Sequence, residues 1–535
     1  MRIPVRDGVR LAGDVYLPAG ERRAVPAIVQ ITPYDKSLGP WSREARWYAD
    51  NGYAAVVVDT RGCLESEGDF HWFVHDGADG HDVVEWVAAQ DWCDGAVGTT
   101  GISYMGWMQW ALAAHRPPHL RCMISSAPAG RWMQEVPFTW GVLQSYFPIW
   151  LHSIQRREGP PPAERPGDLT ELLSTLPVSD IGRTLGLSGP SWNDLVEHPT
   201  FDQHWQSLRF DDRYADIDVP TLHVGGWYDL EDLTGTLHHY EHMVSAGAAD
   251  QTLVVGPWSH AGVRYPHSGY DGVDHGPSAA VDMNELHLRF LDRWLRGDRT
   301  RWTAPPVSVF DTGRHAWDHG DQWMRTAPGL TLHLSGPDAL VTDPASGNGR
   351  ASYVFDPAEP GPRLAFTSYS ATDYPFDETA NDQRADVLTW TSAPLTEPLR
   401  LTGWSRLALH AATDGTDTDW HVKITDVEPG GRSRRVTSGC LRASHRDGLD
   451  RRAAVEPHFP LEYAIELWPA HHTFQPGHRV RLQVASSDFP WFTLTGNRFD
   501  PGDEPRPATH TVFFGEDHPS HVVLGTTAMD PTPDW

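Results

Sequence analysis

With 535 residues the chain is too long for one hydrophobic core and should divide into about two to four domains. An apolar content of 39% with 24 tryptophans excludes a disordered polypeptide. Forty-three basic against 71 acidic residues leave a formal charge of −28, which argues against nucleic acid or an anionic membrane as partner.

The first residues, Met-Arg-Ile-Pro-Val-Arg-Asp-Gly, lack the apolar core of a signal peptide, and nowhere do 18 apolar residues run together. Cys63, Cys93, Cys122 and Cys440 have no metal-ligand spacing and are too few for a disulfide scaffold. A soluble chain in a reducing, cytoplasmic setting is expected. A homo-oligomer is compatible with everything the sequence contains.

Val5 to Tyr16 reads as a hairpin around Asp7-Gly8. Ala27–Ile31 and Ala54–Val58 are short continuous apolar runs, the pattern of strands buried on both faces of a mostly parallel sheet. Asp59 follows the second run, and Thr60-Arg61-Gly62 after it suggests a structural turn. Gly80 to Ala89 is a helix candidate.

The next strand enters Gly101-Ile102-Ser103-Tyr104-Met105-Gly106 and continues as a helical run from Met108 to His115. A strand that reverses into a helix this quickly leaves Ser103 on a strained turn, beside that turn's own N–H groups. Nucleophiles of α/β-hydrolases are presented this way, although the usual G-x-S-x-G pattern would put the second glycine at position 105.

After the strand Cys122–Ile124 the alternation of strand and helix stops. Pro128 to Tyr214 carries aromatics without strand periodicity, the break Gly159-Pro160-Pro161-Pro162 and a helical stretch at Leu169–Leu176, and reads as a helical insertion. Strands resume at Val219–Val224 and Thr252–Val255. Met283 to Arg296 is an amphipathic helix with Leu286, Phe290, Leu291, Trp294 and Leu295 on one stripe. Beyond about residue 330, period-two segments such as Leu399/Leu401, Trp420/Val422/Ile424 and Val480/Leu482/Val484 predict a β-sandwich.

A serine hydroxyl needs a base oriented by a carboxylate, in the chain order Ser, acid, His on this fold. Asp229 follows one late strand and His260 the next, so Ser103, Asp229 and His260 form the candidate triad. His223 sits inside a strand and reads as a core group. His267 and His275 have no strand before them.

These residues resemble the cocaine esterase / X-Pro dipeptidyl-peptidase family of serine hydrolases. The resemblance rests on Pro33-Tyr34-Asp35-Lys36, Asp59-Thr60-Arg61-Gly62, the Ser103 elbow, Gly226-Trp227-Tyr228-Asp229 and Gly256-Pro257-Trp258-Ser259-His260. Pro476-Gly477-His478-Arg479 and Ser486-Ser487-Asp488-Phe489-Pro490 extend it towards the C-terminus. A glycine three residues after the serine is that family's own variant.

The resemblance implies an α/β-hydrolase domain over 1–127 and 215–325, a helical cap over 128–214 and a jelly-roll β-sandwich over 326–535. It also implies an oxyanion hole made by the Tyr34 hydroxyl and the Tyr104 N–H, and an ester or amide of a small molecule as substrate. No metal or organic cofactor is expected.

Trp140, Phe138, Trp150 and Leu230 are candidates for the acyl pocket. Asp229-Leu230-Glu231-Asp232 is similar to the α-amino acid ester hydrolases, in which such carboxylates hold the substrate's α-ammonium group, and Glu135 could supply a third. A plainer reading also stands, that Glu231 and Asp232 face solvent at a helix N-terminus, where acids are favoured. Ester hydrolysis is the leading expectation. Amide or peptide hydrolysis and acyl transfer on the same triad are the alternatives.

Overall fold

The structure is a computed structural model, and it describes residues 1–20, 23–154, 169–323, 329–344, 346–360 and 376–526. The expected break at Gly159–Pro162 and the expected boundary at 325/326 lie outside the described residues.

The N-terminal half is built on a ten-stranded sheet among the described residues. β1 (Arg2–Pro4) and β2 (Arg10–Tyr16) form a hairpin across Asp7-Gly8, with a first strand that lies before Val5, the residue at which the hairpin was expected to begin. β3 (Val25–Thr32), β4 (Ala54–Asp59), β5 (Cys93–Ile102) and β6 (Leu120–Ser126) follow, and β3 pairs in parallel with both β4 and β5. After the cap come β9 (Thr221–Gly226) and β10 (Gln251–Gly256), which extend the parallel sheet beyond β6. Strands Val307–Asp311 and Ala316–Gly320 close that edge.

Burial explains the uninterrupted apolar runs. Every residue of β4, β9 and β10 is buried, because helices cover both faces. α1 (Gly39–Asp50) and α10 (Met283–Leu295) lie on one face, where Tyr48, Phe290 and Leu291 meet Ile28, Val57 and Ile124. α2 (Asp76–Ala88) and α3 (Tyr104–Ala113) lie on the other. α2 begins four residues before the helix expected from periodicity, and its glycines are the reason. A Cβ on Gly80 would lie 2.8 Å from Leu112 Cβ, so glycine permits the close approach of α2 to α3 at the cost of helix propensity.

Between β6 and β9 the cap contains a two-residue-per-strand hairpin, β7 (Phe138–Thr139) and β8 (Val142–Leu143). It continues with α4 (Tyr146–Ile154), α5 (Leu169–Leu173), α6 (Ser179–Leu185), α7 (Pro190–Glu197) and α8 (Gln203–Ser207). The insertion is therefore mainly helical, with one short hairpin. α9 (Leu233–Ser245) packs behind β9.

The C-terminal part is all-β, with eleven strands among the described residues. Leu401, Val480, Leu482 and Val484 are buried, as the period-two pattern expects of the inner faces of a sandwich, whereas Leu399 is half-buried and Asp419–Val427, with Trp420, Val422 and Ile424, is buried throughout. The sandwich seats directly on the cap. Thr493 N donates to Leu143 O at 2.9 Å, and Arg131 forms an ion pair with Glu466 at 2.7 Å. No described helix is long and apolar enough to cross a membrane.

Candidate active site

Ser103 stands between β5 and α3 with φ 62° and ψ −128°, a conformation side chains other than glycine rarely adopt. Two glycines make the turn possible. A Cβ on Gly101 would lie 2.5 Å from Met105 Cβ, and one on Gly106 would lie 2.7 Å from Ser126 O. Because it is residue 106 that passes the end of β6, the second glycine falls there and Met105 keeps its side chain. The Tyr104 amide opens α3, where no carbonyl of the preceding turn can accept it.

Tyr34 follows β3, and it lines the same cavity as Ser103. Trp150 Nε1 donates to the Tyr34 hydroxyl at 3.4 Å. Burial raises the Tyr34 phenol to about 12, so it stays protonated and able to donate. The Tyr104 ring is held from behind, its hydroxyl donating to the Asp76 carboxylate and accepting from Phe73 N at 2.9 Å.

Asp229 and His260 come from the ends of β9 and β10. Asp229 is fully buried, and its Oδ2 lies 3.0 Å from His260 Nδ1. Its Oδ1 accepts from the amides of Glu231 at 3.0 Å and Asp232 at 3.2 Å. That turn brings two more carboxylates to the imidazole, Glu231 Oε2 at 3.7 Å from Nε2 and Asp232 Oδ2 at 3.8 Å from Nδ1. Burial opposes charge on His260, but Glu231, Asp229 and Asp232 outweigh it and hold the imidazole well above its ordinary range. Burial also raises Glu231 to about 7 and lifts Asp232 well above the usual carboxylate range.

Ser103, Tyr34, Tyr104, His260, Glu231 and Asp232 all line one cavity of about 360 Å³. Its remaining wall is apolar and aromatic, with Phe73, Tyr146, Phe147, Ile149 and Trp150 among the lining side chains. Glu231 and Asp232 are 6% and 4% exposed, so the expectation that they face solvent is corrected. The guanidinium of Arg264 also borders the cavity but is committed to Glu44 at 2.8 Å.

Of the acyl-pocket candidates, Trp150 lines this cavity and Phe138, Trp140 and Leu230 do not. Phe138 lines a different cavity, between cap and sandwich. Trp140 is buried where its carbonyl accepts from Arg442 N of the sandwich at 3.0 Å. Leu230 packs towards Trp491 and Phe492. Glu135 is also turned away. Its carboxylate accepts from Thr234 Oγ1 at 2.6 Å, from Gly130 N at 3.0 Å and from Gly235 N, which ties the start of the cap to α9. Tyr146, Phe147 and Phe73 were not anticipated as lining residues, since nothing in their local pattern separates them from the other buried aromatics.

A serine on a left-handed elbow and an aspartate-held imidazole, facing one cavity above a parallel sheet, are the parts of a serine hydrolase of the α/β-hydrolase fold. Residues 7–262 match the family model of the X-Pro dipeptidyl-peptidase (S15 family), and residues 300–523 that of the X-Pro dipeptidyl-peptidase C-terminal non-catalytic domain. The cocaine esterase of Rhodococcus sp. is 31% identical over 98% of this chain and 97% of that protein. The solved structure of an α-amino acid ester hydrolase superposes with a TM-score of 0.90 at 28% identity, covering 98% of this chain and 96% of that one. An aminopeptidase from a marine sediment archaeon, Thaumarchaeota archaeon, superposes at 0.88 with 26% identity over 98% and 96% of the two chains. The chain belongs to the cocaine esterase / X-Pro dipeptidyl-peptidase family of serine hydrolases.

Proposed function

We propose that the protein hydrolyses small esters of α-amino acids through an acyl-enzyme, with the substrate's α-ammonium group seated between Glu231 and Asp232. The observation that carries this reading is the burial of both carboxylates beside His260, in a cavity whose one nearby guanidinium among the described residues is neutralised by Glu44. Buried like charges destabilise one another unless a cation stands between them, and an ammonium ion supplies one. The aromatic wall suits an apolar or aromatic acyl side chain.

In this reading His260 takes the proton from Ser103 as Oγ bonds to the carbonyl carbon. The tetrahedral oxyanion accepts from the Tyr34 hydroxyl and the Tyr104 N–H. The C–O bond then breaks and His260 returns the proton to the leaving alcohol. Water repeats the sequence on the acyl-enzyme and releases the acid. Asp229 fixes the imidazole tautomer and stabilises its charged form. A cytoplasmic location is part of the same reading and is supported by four buried free cysteines.

Phenylglycine methyl ester compared with phenylacetic acid methyl ester tests ammonium recognition. Loss of the amino group should lower kcat/KM by roughly 30-fold or more. Equal values, or no loss in Glu231→Gln, would overturn it. Labelling of Ser103 by a fluorophosphonate, lost in Ser103→Ala, tests the nucleophile separately. A second reading, cleavage of amides with a free amino terminus, is favoured by the likeness to the archaeal aminopeptidase. A matched anilide assayed beside the ester distinguishes the two.

A further inference from the structure

The motif Asp59-Thr60-Arg61-Gly62 carries no part of the chemistry described so far, and its turn is held by the later residues. Gly62 takes φ 73° and donates its N–H to Glu67 O at 3.0 Å. Arg61 is paired with Asp7 at 2.7 Å and with Asp79 at 2.7 Å. Asp59, the last residue of β4, is fully buried, and its carboxylate is engaged elsewhere, on the loop that carries Tyr34.

Strand register explains the meeting. β3 and β4 run in parallel with Thr32 opposite Asp59, and Thr60 N donates to Thr32 O at 2.9 Å. The two strands end side by side, so the residues just beyond β3 pass the Asp59 side chain. Its Oδ1 accepts from Lys36 N at 2.7 Å, and its Oδ2 lies 3.3 Å from Lys36 Nζ. One residue is thus gripped by backbone and ammonium together, two positions after Tyr34.

This loop requires an outside hold. Asp35 adopts φ 81°, a left-handed conformation that persists in a residue other than glycine where the surroundings enforce it. Tyr34 N donates to Thr32 Oγ1 at 3.0 Å, Ser37 N to Asp35 Oδ1 at 2.8 Å and Leu38 N to Asp35 O at 3.1 Å, all within residues 32–38. Lys36 N instead finds its acceptor on the neighbouring strand, at Asp59.

We infer that Asp59 is a positioning residue for Tyr34: by clamping Lys36 it fixes where the Tyr34 hydroxyl stands in the catalytic cavity. The inference rests on the oxyanion role proposed above for that hydroxyl. Charge makes the clamp stiff, because the carboxylate is fully buried and the Lys36 ammonium, nearly buried itself, is shared with Glu65 at 2.7 Å. The ring of Tyr34 stacks on Trp41 with centroids 6.2 Å apart, and Trp150 Nε1 donates to its hydroxyl. Those contacts restrain the ring, while Asp59 sets the backbone from which it projects. A catalytic group misplaced by about 1 Å can forfeit roughly 100-fold in rate, so the position of this backbone matters to the chemistry.

A double-variant cycle on the full chain tests the inference, with para-nitrophenyl acetate as substrate and circular dichroism as the check on folding. Tyr34→Phe should lower kcat roughly 100-fold. Asp59→Ala should lower it roughly tenfold with KM little changed, and Asp59→Asn, which keeps an oxygen for Lys36 N, by about threefold. Both losses should vanish when Tyr34→Phe is already present, because the hydroxyl that Asp59 positions is then gone. A merely structural Asp59 would lower kcat by the same factor in both backgrounds, and that result overturns the positioning role while leaving the oxyanion role of Tyr34 intact. Unchanged kcat in Asp59→Ala does the same. Asp59→Asn carries the comparison if Asp59→Ala does not fold. Unchanged kcat in Tyr34→Phe alone overturns the oxyanion assignment, and this inference with it.

Discussion

The hydroxyl of Tyr104, the residue after Ser103, donates to the buried carboxylate of Asp76 at the start of α2. The side chain of Tyr104 is thereby fixed to a neighbouring helix, while its backbone amide is the one assigned to the oxyanion. Asp76 is a positioning residue in this arrangement, acting on the reaction only through Tyr104.

Asp76→Ala should lower kcat roughly tenfold with little change in KM, the scale of one buried hydrogen bond lost. Asp76→Asn, which still accepts, should restore most of it. Stability adds a second readout. Burial raises the Asp76 carboxyl to about 7, so the folded state binds the proton more tightly than the unfolded chain. That contribution is present in acid and is lost as pH rises through 7. Relative to wild type, Asp76→Asn should therefore gain stability above pH 7, as read from urea melts at several pH values.

If the Tyr34 hydroxyl is the proposed oxyanion donor, Tyr34→Phe should cost roughly 100-fold or more in kcat, with the fold intact by circular dichroism. A tyrosine that only packs would leave kcat within a small factor.

The carboxylates around His260 predict an unusual pH profile. His260 must be neutral to act as base, and Glu231 is the strongest of the influences holding its imidazolium above the ordinary range. kcat/KM should therefore rise with pH through a midpoint above that range, and Glu231→Gln should move the midpoint downwards. A bound ammonium group opposes the same carboxylates. With an α-amino ester, the midpoint of kcat should then lie below that of kcat/KM, since the first reports the complex and the second the free enzyme.

At the elbow, Gly106→Ala would force a Cβ to within 2.7 Å of Ser126 O and 3.3 Å of Pro128 Cα. The strain should cost about 1–3 kcal/mol of stability and slow fluorophosphonate labelling of Ser103, both measurable on one purified variant.

The amino-acid sequence by itself determined the order and kind of the elements. Buried parallel strands, the amphipathic helix at Met283–Leu295 and the period-two strands of the sandwich are each written in a few neighbouring residues, because local periodicity reports which faces meet water. The glycine–serine turn was legible as a motif of six neighbouring residues, although the demand for glycine at 106 comes from Ser126 and Pro128 on another segment. Tertiary structure alone decided which aromatics face Ser103. Phe138 and Trp150 look alike in the chain, yet the sandwich draws Phe138 away while Trp150 reaches Tyr34. It also turned Glu135 towards α9 and Glu231 and Asp232 inwards, and it brought Asp76 to Tyr104. Those outcomes depend on contacts between segments far apart in the chain, where packing and the pairing of buried charge leave no local pattern to read.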